Sequence, residues 1–378
     1  MDRDQQVSRL VQLDISQHFA STRASRSVNV LEEKSSSWIN VTNNLEALND
    51  ERIIHTKEET GYRHLYISDF NSGSSVQLTR GEWQVMNASI WVDQEHQTVF
   101  FLANSGSFLE QHLCCIDFRG ENFRVLTPSG YHHKAFVFLK RGLVVLEVSN
   151  IHLVNSWLVC SISFSDSIQL HSQFRIPIHR VDAVDSTPLP SPVLFSFSHS
   201  ELEFFACLFC PADFDERKRH KTMVFVYGGP HVQLVTNQYS LRLNSRIQAM
   251  VTAGFLVAIV DGRGSWNRGL GFESSILKKM GSVEVQDQVE LVGHLVKVGI
   301  CDPSHVGIHG WSYGGYMSLM CLAQRPDIFR VCISGAPVTS WEFYDTGYTE
   351  RYMKTPQSNP EGYKTSSVLN FLDNFPDE

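Results

Sequence analysis

The stretch His309-Gly310-Trp311-Ser312-Tyr313-Gly314-Gly315-Tyr316 decides the fold of this chain. It follows the short apolar run Val306-Gly307-Ile308 and precedes an apolar helical pattern from Met317 to Leu322. A strand, a Gly-x-Ser-x-Gly turn and a helix together predict a nucleophile elbow, in which a strained turn exposes the hydroxyl of Ser312. Three glycines of the stretch remove Cβ atoms that would collide with backbone around the serine. The alternative is a glycine-rich loop with an incidental serine, and a second motif upstream argues against it.

That second motif is Val224-Phe225-Val226-Tyr227-Gly228-Gly229-Pro230. Its consecutive apolar residues predict a buried strand, which Gly-Gly-Pro ends sharply. In an α/β-hydrolase the loop after this strand supplies one half of the oxyanion hole. We therefore expect the phenol O–H of Tyr227 to face the developing oxyanion, together with the backbone N–H of Tyr313. For Tyr227 alone, a core tyrosine at a strand end is the alternative interpretation.

These motifs resemble the prolyl oligopeptidase family of serine peptidases, in particular its dipeptidyl peptidase IV branch and, within that branch, the cytosolic dipeptidyl peptidases 8 and 9. The resemblance also rests on Asp261-Gly-Arg-Gly-Ser265 and on the long irregular segment GAPVTSWEFYDTGYTERYM at 335–353. Weaker similarity, as at Thr60-Gly-Tyr-Arg-His-Leu-Tyr66, extends it over most of the 378 residues. It implies an α/β-hydrolase with an incomplete, parallel-rich sheet, preceded by a partial all-β propeller. It also implies a serine-type peptidase that releases N-terminal Xaa-Pro or Xaa-Ala dipeptides through an acyl-enzyme.

Composition excludes several other classes of function. Forty acidic against 32 basic side chains give a net charge of −8, which argues against nucleic-acid binding and against a polybasic membrane patch. The chain has no apolar run of about 18 residues that would predict a membrane-spanning helix. Eight scattered cysteines suit a reducing compartment, so we expect a cytoplasmic protein, with a membrane-anchored relative still open because the N-terminus looks incomplete. We expect no metal and no cofactor, and we interpret Cys207 and Cys210 as core residues.

The N-terminal half contains an internal repeat. Leu65-Tyr-Ile-Ser-Asp-Phe70 aligns without gaps to Leu113-Cys-Cys-Ile-Asp-Phe118, and the same offset carries Gln77-Leu-Thr79 onto Val125-Leu-Thr127. A period of roughly 48 residues with strand-turn-strand content predicts propeller blades. Residues 1–185 would hold about three to four such blades, where the resemblance implies about eight. We therefore expect the chain to begin within a propeller.

A proline-rich linker at 186–193 predicts the domain boundary. Residues 1–185 are expected to form the partial propeller, and residues 186–378 the catalytic domain. In the second half, apolar strand patterns alternate with helical ones, which predicts a parallel α/β sheet. The resemblance places the closing strands beyond Glu378, so the strand at 329–334 is expected to be an uncovered edge.

The serine has no evident base within this chain. Serine needs an adjacent base, and in α/β-hydrolases the order is Ser, then Asp or Glu, then His. No histidine follows Ser312, and we interpret His309 as a packing residue. The resemblance implies that the catalytic Asp and His lie beyond the last residue. Two alternatives therefore stay open: a catalytically incomplete fragment or pseudo-peptidase, and a propeller binding module with a vestigial hydrolase portion.

The resemblance assigns a proline-accepting pocket to five residues, which are Tyr313, Val338, Trp341, Tyr344 and Tyr348. Aromatic and apolar side chains suit a flat pyrrolidine ring. The spacing of positions 341, 344 and 348 predicts that these three share one helical face. An ordinary amphipathic core helix is the alternative, and Asp345 is interpreted as a second-layer or surface ion-pair residue.

The resemblance also implies a glutamate pair that binds the amino end of the substrate. Two such pairs occur, Glu32-Glu33 and Glu58-Glu59, and we interpret both as solvated turn charges. The expected partner is a peptide with a penultimate proline or alanine. Homodimers are implied by the resemblance, although we expect the C-terminal dimer surface to be missing from this chain.

Overall fold

The computed structural model describes residues 1–13, 27–164, 167–176 and 189–375. The chain divides into two compact units. The first comprises Met1–Ser129, His133–Val148 and Trp157–Ile176, and the second comprises Gly130–His132, Ser149–Ser156 and Pro177–Glu378. The predicted boundary between residues 185 and 186 lies outside the described residues, and the predicted linker is described only from residue 189 onward.

The first unit is built from strands that follow one another in chain order. A two-stranded antiparallel sheet pairs β1 (Val7–Leu13) with β2 (Ser27–Lys34). Three four-stranded sheets follow, each with its neighbouring strands consecutive in sequence. They are β3 (Leu45–Ala47), β4 (Arg52–Lys57), β5 (His64–Asp69) and β6 (Ser75–Gln77); β7 (Val85–Asp93), β8 (Thr98–Ala103), β9 (His112–Asp117) and β10 (Arg124–Val125); and β11 (His132–Phe138), β12 (Leu143–Ser149), β13 (Ser156–Ser163) and β14 (Gln169–Ile176).

The predicted repeat is confirmed at the level of individual hydrogen bonds. Strands β5 and β9 occupy equivalent places in successive sheets. The Leu65 amide donates to Thr79 Oγ1 at 2.9 Å, and the Leu113 amide donates to Thr127 Oγ1 at 3.1 Å. Each leucine carbonyl then accepts from the residue before the threonine, at 2.8 Å in both copies. In both sheets, therefore, a leucine at the same place in the third strand is hydrogen-bonded to the segment that follows the fourth strand, through the same pair of residue types.

Alternating apolar residues of the second and third sheets form the core of the first unit. Strand β8 is buried along its whole length, because its apolar run is covered on both faces. Several of the side chains in this core are less than 1% exposed, among them Ile54, Leu65, Val99 and Phe101. The partly buried Trp83 ring stacks on Phe101 with the ring centroids 6.3 Å apart.

The prediction that both glutamate pairs are solvated turn charges is wrong for Glu58, which is buried, and for Glu33, which is partly buried in β2. Glu58 is 8% exposed, and its carboxylate accepts from Arg63 Nη2 at 2.8 Å and from Asn40 Nδ2 at 3.0 Å. Its backbone amide donates to Glu33 Oε1 at 3.1 Å, and burial raises the pKa of Glu33 to about 7. Only Glu32 and Glu59 are exposed. Glu32 and Glu33 differ in exposure because successive side chains of strand β2 point to opposite faces.

The second unit is a mostly parallel sheet with helices between its strands. The strands lie in the order β15-β16-β18-β17-β19-β20. The hairpin of β15 and β16 is antiparallel and meets β18 antiparallel, whereas β17, β18, β19 and β20 pair in parallel, as predicted. The strands are β15 (Val193–His199), β16 (Leu202–Phe209), β17 (His220–Val226), β18 (Leu256–Val260), β19 (Cys301–Trp311) and β20 (Val331–Gly335).

Six α-helices are described in the second unit, and short 3₁₀ helices supplement them. The sequence predicts four of these elements, namely β17 before Tyr227, β19 and α4 on either side of Ser312, and β20 near 329–334, and each overlaps its predicted residues. The α-helices are α1 (Ser245–Thr252), α2 (Leu270–Glu273), α3 (Val283–Lys297), α4 (Tyr313–Gln324), α5 (Thr346–Met353) and α6 (Pro360–Thr365). Among the described residues, the 3₁₀ helices are Leu139–Arg141 in the first unit and, in the second, Tyr239–Leu243, Ser274–Ile276, Trp341–Phe343 and Val368–Asn374.

Burial follows the position of each strand in this sheet. Strand β18 lies inside the sheet, and its five apolar residues are all buried. Strand β20 is the outermost strand on its side among the described residues, as predicted. Its Val331 and Ile333 side chains are 53% and 49% exposed. Within the described ranges, no helix is both long and apolar enough to span a membrane.

Candidate active site

Ser312 occupies the turn between β19 and α4. Its backbone has φ 58° and ψ −117°, a conformation that residues other than glycine rarely adopt. The Ser312 amide donates to the carbonyl of Gly335 at 2.9 Å, and the Ser312 carbonyl accepts from the Tyr316 amide at 3.0 Å. The predicted order of strand, serine turn and helix is confirmed: the strand runs to Trp311, beyond the apolar run that ends at Ile308, and the helix begins at Tyr313. The strained serine therefore sits at the N-terminus of a twelve-residue helix.

The glycines of the elbow allow three backbone segments to meet at the serine. A Cβ atom on Gly310 or Gly314 would lie under 3.0 Å from the carbonyl oxygen of Val226, at the end of β17. A Cβ atom on Gly315 would lie equally close to the carbonyl oxygen of Gly335, at the end of β20. The predicted steric reason for these glycines is confirmed, because no larger residue fits without moving backbone.

Tyr227 directly follows β17 and is partly buried. Its ring lies near that of Tyr313, with the centroids 5.9 Å apart. Burial and, to a lesser extent, the neighbouring Tyr344 phenol raise the pKa of Tyr227. Its phenol therefore stays protonated at neutral pH and keeps a proton to donate. The backbone of Gly229 packs directly on the Tyr313 ring, since a Cβ atom there would lie under 3.0 Å from it.

Four of the five predicted pocket residues form one aromatic cluster. The Trp341 ring lies 5.5 Å from Tyr313, 5.9 Å from Tyr344 and 6.0 Å from Tyr348, measured between centroids. Tyr344 and Tyr348 also meet edge to face at 5.3 Å. Tyr313 and Trp341 are buried, whereas Tyr344 is 43% exposed and Tyr348 is partly exposed. Tyr344 and Tyr348 therefore form the exposed side of the cluster. Val338 is partly buried.

The prediction that Trp341, Tyr344 and Tyr348 share one helical face is wrong. Trp341 lies in a 3₁₀ helix that ends at Phe343, and Tyr344 is extended with φ −99° and ψ 165°. Asp345 then starts α5 as its N-cap, with Oδ1 accepting from the Tyr348 amide at 2.8 Å. Asp345 is therefore a capping residue, because an aspartate ahead of a helix satisfies an otherwise unpaired amide. The rings meet across a break in the helix.

Sequence reasoning missed the buried carboxylates that support this region. Asp261, at the end of β18, accepts from the backbone amides of Leu234 and Val235 at 2.9 and 2.7 Å. It thereby holds the loop that follows Gly228-Gly229-Pro230. Burial raises the pKa of Asp261 to about 6. Its position directly after an apolar run, at the carboxyl end of a parallel strand, was the signal that marked it.

A second buried carboxylate, Glu284, lies in the first turn of α3 and is fully buried. Its Oε1 accepts from the Tyr313 phenol at 2.7 Å. Nothing in the local sequence indicates this contact, because 29 residues separate the two. Nearby, the Asp287 carboxylate and the Arg263 guanidinium form an ion pair with a 2.6 Å contact, which fixes the loop after β18.

His309 behaves as a packing residue, in agreement with the sequence interpretation. Its ring is 9% exposed and contacts Phe225, with the centroids 5.7 Å apart. Nδ1 lies 2.8 Å from the carbonyl oxygen of Ile333, so this nitrogen carries the proton and donates it to β20. The side chain thus joins two neighbouring strands of the sheet.

Two family models match separate parts of the chain. One, described as the prolyl oligopeptidase family, matches residues 241–377, and one described as the dipeptidyl peptidase IV N-terminal region matches residues 1–152. Dipeptidyl peptidase 8 of Mus musculus and that of Homo sapiens are each 37% identical to the chain over 391 aligned residues. The chain belongs to the prolyl oligopeptidase family.

This membership covers both units, since the dipeptidyl peptidase 8 alignments span 92% of the chain. A more distant relative, probable dipeptidyl-aminopeptidase B of Aspergillus terreus, is 31% identical over 83% of the chain. The alignments cover 43% of each dipeptidyl peptidase 8 and 34% of the fungal protein. The chain therefore spans less than half the length of these family members.

Proposed function

We propose that this chain belongs to a serine-type dipeptidyl peptidase that releases Xaa-Pro or Xaa-Ala dipeptides from the amino end of peptides. The observation that carries the proposal is the position of Ser312, in a left-handed turn between a parallel strand and a helix N-terminus. The names of the relatives, dipeptidyl peptidase and probable dipeptidyl-aminopeptidase, support the same activity.

In the proposed reaction, Ser312 Oγ attacks the carbonyl carbon of the second residue of the substrate. An Oγ–C bond forms, the C–N bond of the peptide breaks, and the serine proton passes through a base to the leaving amine. Water then cleaves the acyl-enzyme and regenerates the serine. The Tyr313 amide, at the positive end of the α4 dipole, and the Tyr227 phenol would hold the oxyanion of each tetrahedral intermediate. The base is an imidazole by family chemistry, and His309 does not fit this role because its ring packs inside the sheet, against Phe225 of β17 and the Ile333 carbonyl of β20.

The aromatic cluster supports the proposed preference for proline. A pyrrolidine ring is flat and apolar, and it packs well against aromatic faces. The exposed side of the cluster consists of the Tyr344 and Tyr348 rings. The buried Trp341 ring packs against both of them, and it packs in turn against Tyr313. We propose Val338 as a further wall of the same pocket.

The wider architecture in this proposal is a partial β-propeller at 1–185 followed by an incomplete α/β-hydrolase at 186–378. Consecutive four-stranded sheets with a shared repeat support the propeller. The parallel sheet and the elbow support the hydrolase. We also propose a cytoplasmic location, because all eight cysteines are free thiols, as a reducing compartment favours.

The test is turnover of Gly-Pro p-nitroanilide by the full-length protein, together with labelling of the serine by a fluorophosphonate probe. We expect both signals in the wild type and neither in Ser312→Ala. Ser304→Ala, which changes an exposed serine of the same strand, is the matched control and should keep both. Folded wild-type protein without either signal would contradict the proposal and support a non-catalytic family member.

A further inference from the structure

Glu284 reaches the site from another helix and is a buried carboxylate that accepts three hydrogen bonds. It is 0% exposed, and burial raises its pKa to about 6. Oε1 accepts from the Tyr313 phenol at 2.7 Å and from the Gly281 amide at 2.9 Å, and Oε2 accepts from the Ser282 amide at 3.0 Å. A buried carboxylate is costly unless such donors surround it, so these three bonds fix its position.

The Tyr313 ring that Glu284 holds touches both halves of the candidate oxyanion hole. The ring belongs to the residue whose backbone N–H follows Ser312 at the start of α4. The same ring lies against the backbone of Gly229, in the loop after Tyr227, and 5.9 Å from the Tyr227 ring. Because the ring is 2% exposed and packed on several sides, its position and that of its backbone are coupled.

We propose that Glu284 is a positioning residue for the oxyanion hole: by fixing the Tyr313 phenol, it holds the Tyr313 amide and the Tyr227 loop in the geometry that the transition state requires. This inference rests on the proposed peptidase function. The tetrahedral intermediate needs its donors at hydrogen-bond distance, whereas the bound substrate depends less on them. Glu284 should therefore affect kcat and leave KM nearly unchanged.

Two variants test the inference in the full-length protein. Tyr313→Phe removes only the hydroxyl that donates to Glu284. Glu284→Gln keeps the size of the side chain, but its amide nitrogen would face another donor and one bond would be lost. We expect each to lower kcat for Gly-Pro p-nitroanilide by roughly ten- to a hundredfold, the effect of a small misplacement of catalytic groups. The double variant should lose no more than the single ones, because both break the same contact.

A second measurement separates positioning from general loss of structure. A prolyl boronic acid forms a negatively charged tetrahedral adduct on the serine and so needs the oxyanion hole, whereas the product dipeptide Gly-Pro does not. We expect both variants to lose boronate affinity by the same factor as kcat and to keep their affinity for Gly-Pro. Glu290→Gln, a partly exposed carboxylate of the same helix that pairs with His199 at 2.9 Å, should behave as wild type.

The outcomes for the inference and for the proposed function are distinct. A wild type without Ser312-dependent turnover contradicts the peptidase assignment itself. An active wild type together with a Tyr313→Phe variant of unchanged kcat and boronate affinity overturns the role of Glu284 alone. If Glu284→Gln fails to fold, Tyr313→Phe still decides, because it leaves the carboxylate with its backbone donors.

Discussion

At the scale of single residues, the site depends on a backbone that only close packing can hold. A left-handed conformation at a residue such as Ser312 costs on the order of 1–3 kcal/mol, so surrounding contacts must enforce it. Two such contacts are visible: the Ser312 amide is bound to Gly335, and Gly310 lies against Val226 with no room for a side chain. The serine is therefore held by strands on both sides.

The elbow glycines give a prediction about stability. Gly310→Ala places a methyl group against backbone oxygens that cannot move independently, so we expect a loss of about 3 kcal/mol or more in the free energy of unfolding. Gly293→Ala, in α3 with open space around its position, should instead gain roughly 0.5–1 kcal/mol from helix propensity. Urea unfolding measures both. Equal effects of the two substitutions would contradict the packing of the elbow.

Tyr227 gives a prediction about catalysis in the full-length protein. Tyr227→Phe removes the proposed second donor to the oxyanion while keeping the ring, so kcat should fall by roughly 10²–10³ with little change in KM. Tyr239→Phe is the control, because that ring contacts Arg242 through its face and needs no hydroxyl for this contact. A Tyr227→Phe variant with the kcat of the wild type would assign Tyr227 to packing.

At the scale of elements, the repeat of the first unit predicts equivalent energetic roles for two threonines. Thr79 and Thr127 are buried, and each accepts the amide of a leucine on the preceding strand. Replacement by valine keeps the shape and leaves a buried amide unpaired, so Thr79→Val and Thr127→Val should each destabilise by about 1–3 kcal/mol. Thr60→Val, at an exposed turn, should change little. A clear difference between the two buried threonines, seen by urea unfolding, would argue against their equivalence.

The elements that sequence predicts well are those with a strong local pattern. The apolar run of β17 and the elbow between β19 and α4 each carry their signal within about ten residues. The predicted helical face through Trp341 and Tyr348 is wrong because helical periodicity takes no account of the break between two helices. The 3₁₀ helix of Trp341 ends at Phe343, and Asp345 caps the start of α5.

Contacts between elements are what local pattern cannot reveal. Glu284 and Tyr313 are 29 residues apart, and Asp261 reaches Val235 over 26 residues. Glu284 stands in an ordinary local context, as a first-turn helix acid, whereas the place of Asp261 after an apolar strand marks the residue but not the loop that it binds. The role of each carboxylate depends on which elements the order of strands in the sheet brings together. The Gly-x-Ser-x-Gly pattern predicts the elbow and says nothing about these neighbours.

At the scale of the whole molecule, the chain contains buried carboxyl groups and buried histidines whose titration changes its stability in opposite directions. Burial raises the pKa of Glu33 to about 7 and that of Asp261 and Glu284 to about 6. Burial lowers the pKa of His55 and His133 to about 4. The carboxyl groups favour folding at low pH and the histidines favour it at high pH, so their contributions oppose each other between about pH 4 and 7.

Removing one of these carboxyl groups should therefore make the protein lose less stability as the pH rises. Glu33 releases its proton near its ordinary pKa of 4.5 in the unfolded chain and near 7 in the folded protein. Its favourable contribution is complete below pH 4.5 and is lost as the pH rises through 7, since the folded state binds the proton more tightly. Glu33→Gln abolishes this loss and can still accept the Glu58 amide. Relative to wild type, the variant should gain about 2–3 kcal/mol in the free energy of unfolding between pH 5 and pH 8, because most of the pKa difference lies in this range and one pKa unit is worth about 1.4 kcal/mol. Urea unfolding at both pH values measures this gain, with the exposed Glu46→Gln as the control. A difference between Glu33→Gln and wild type that stays constant with pH would show that Glu33 titrates alike in the folded and unfolded chains.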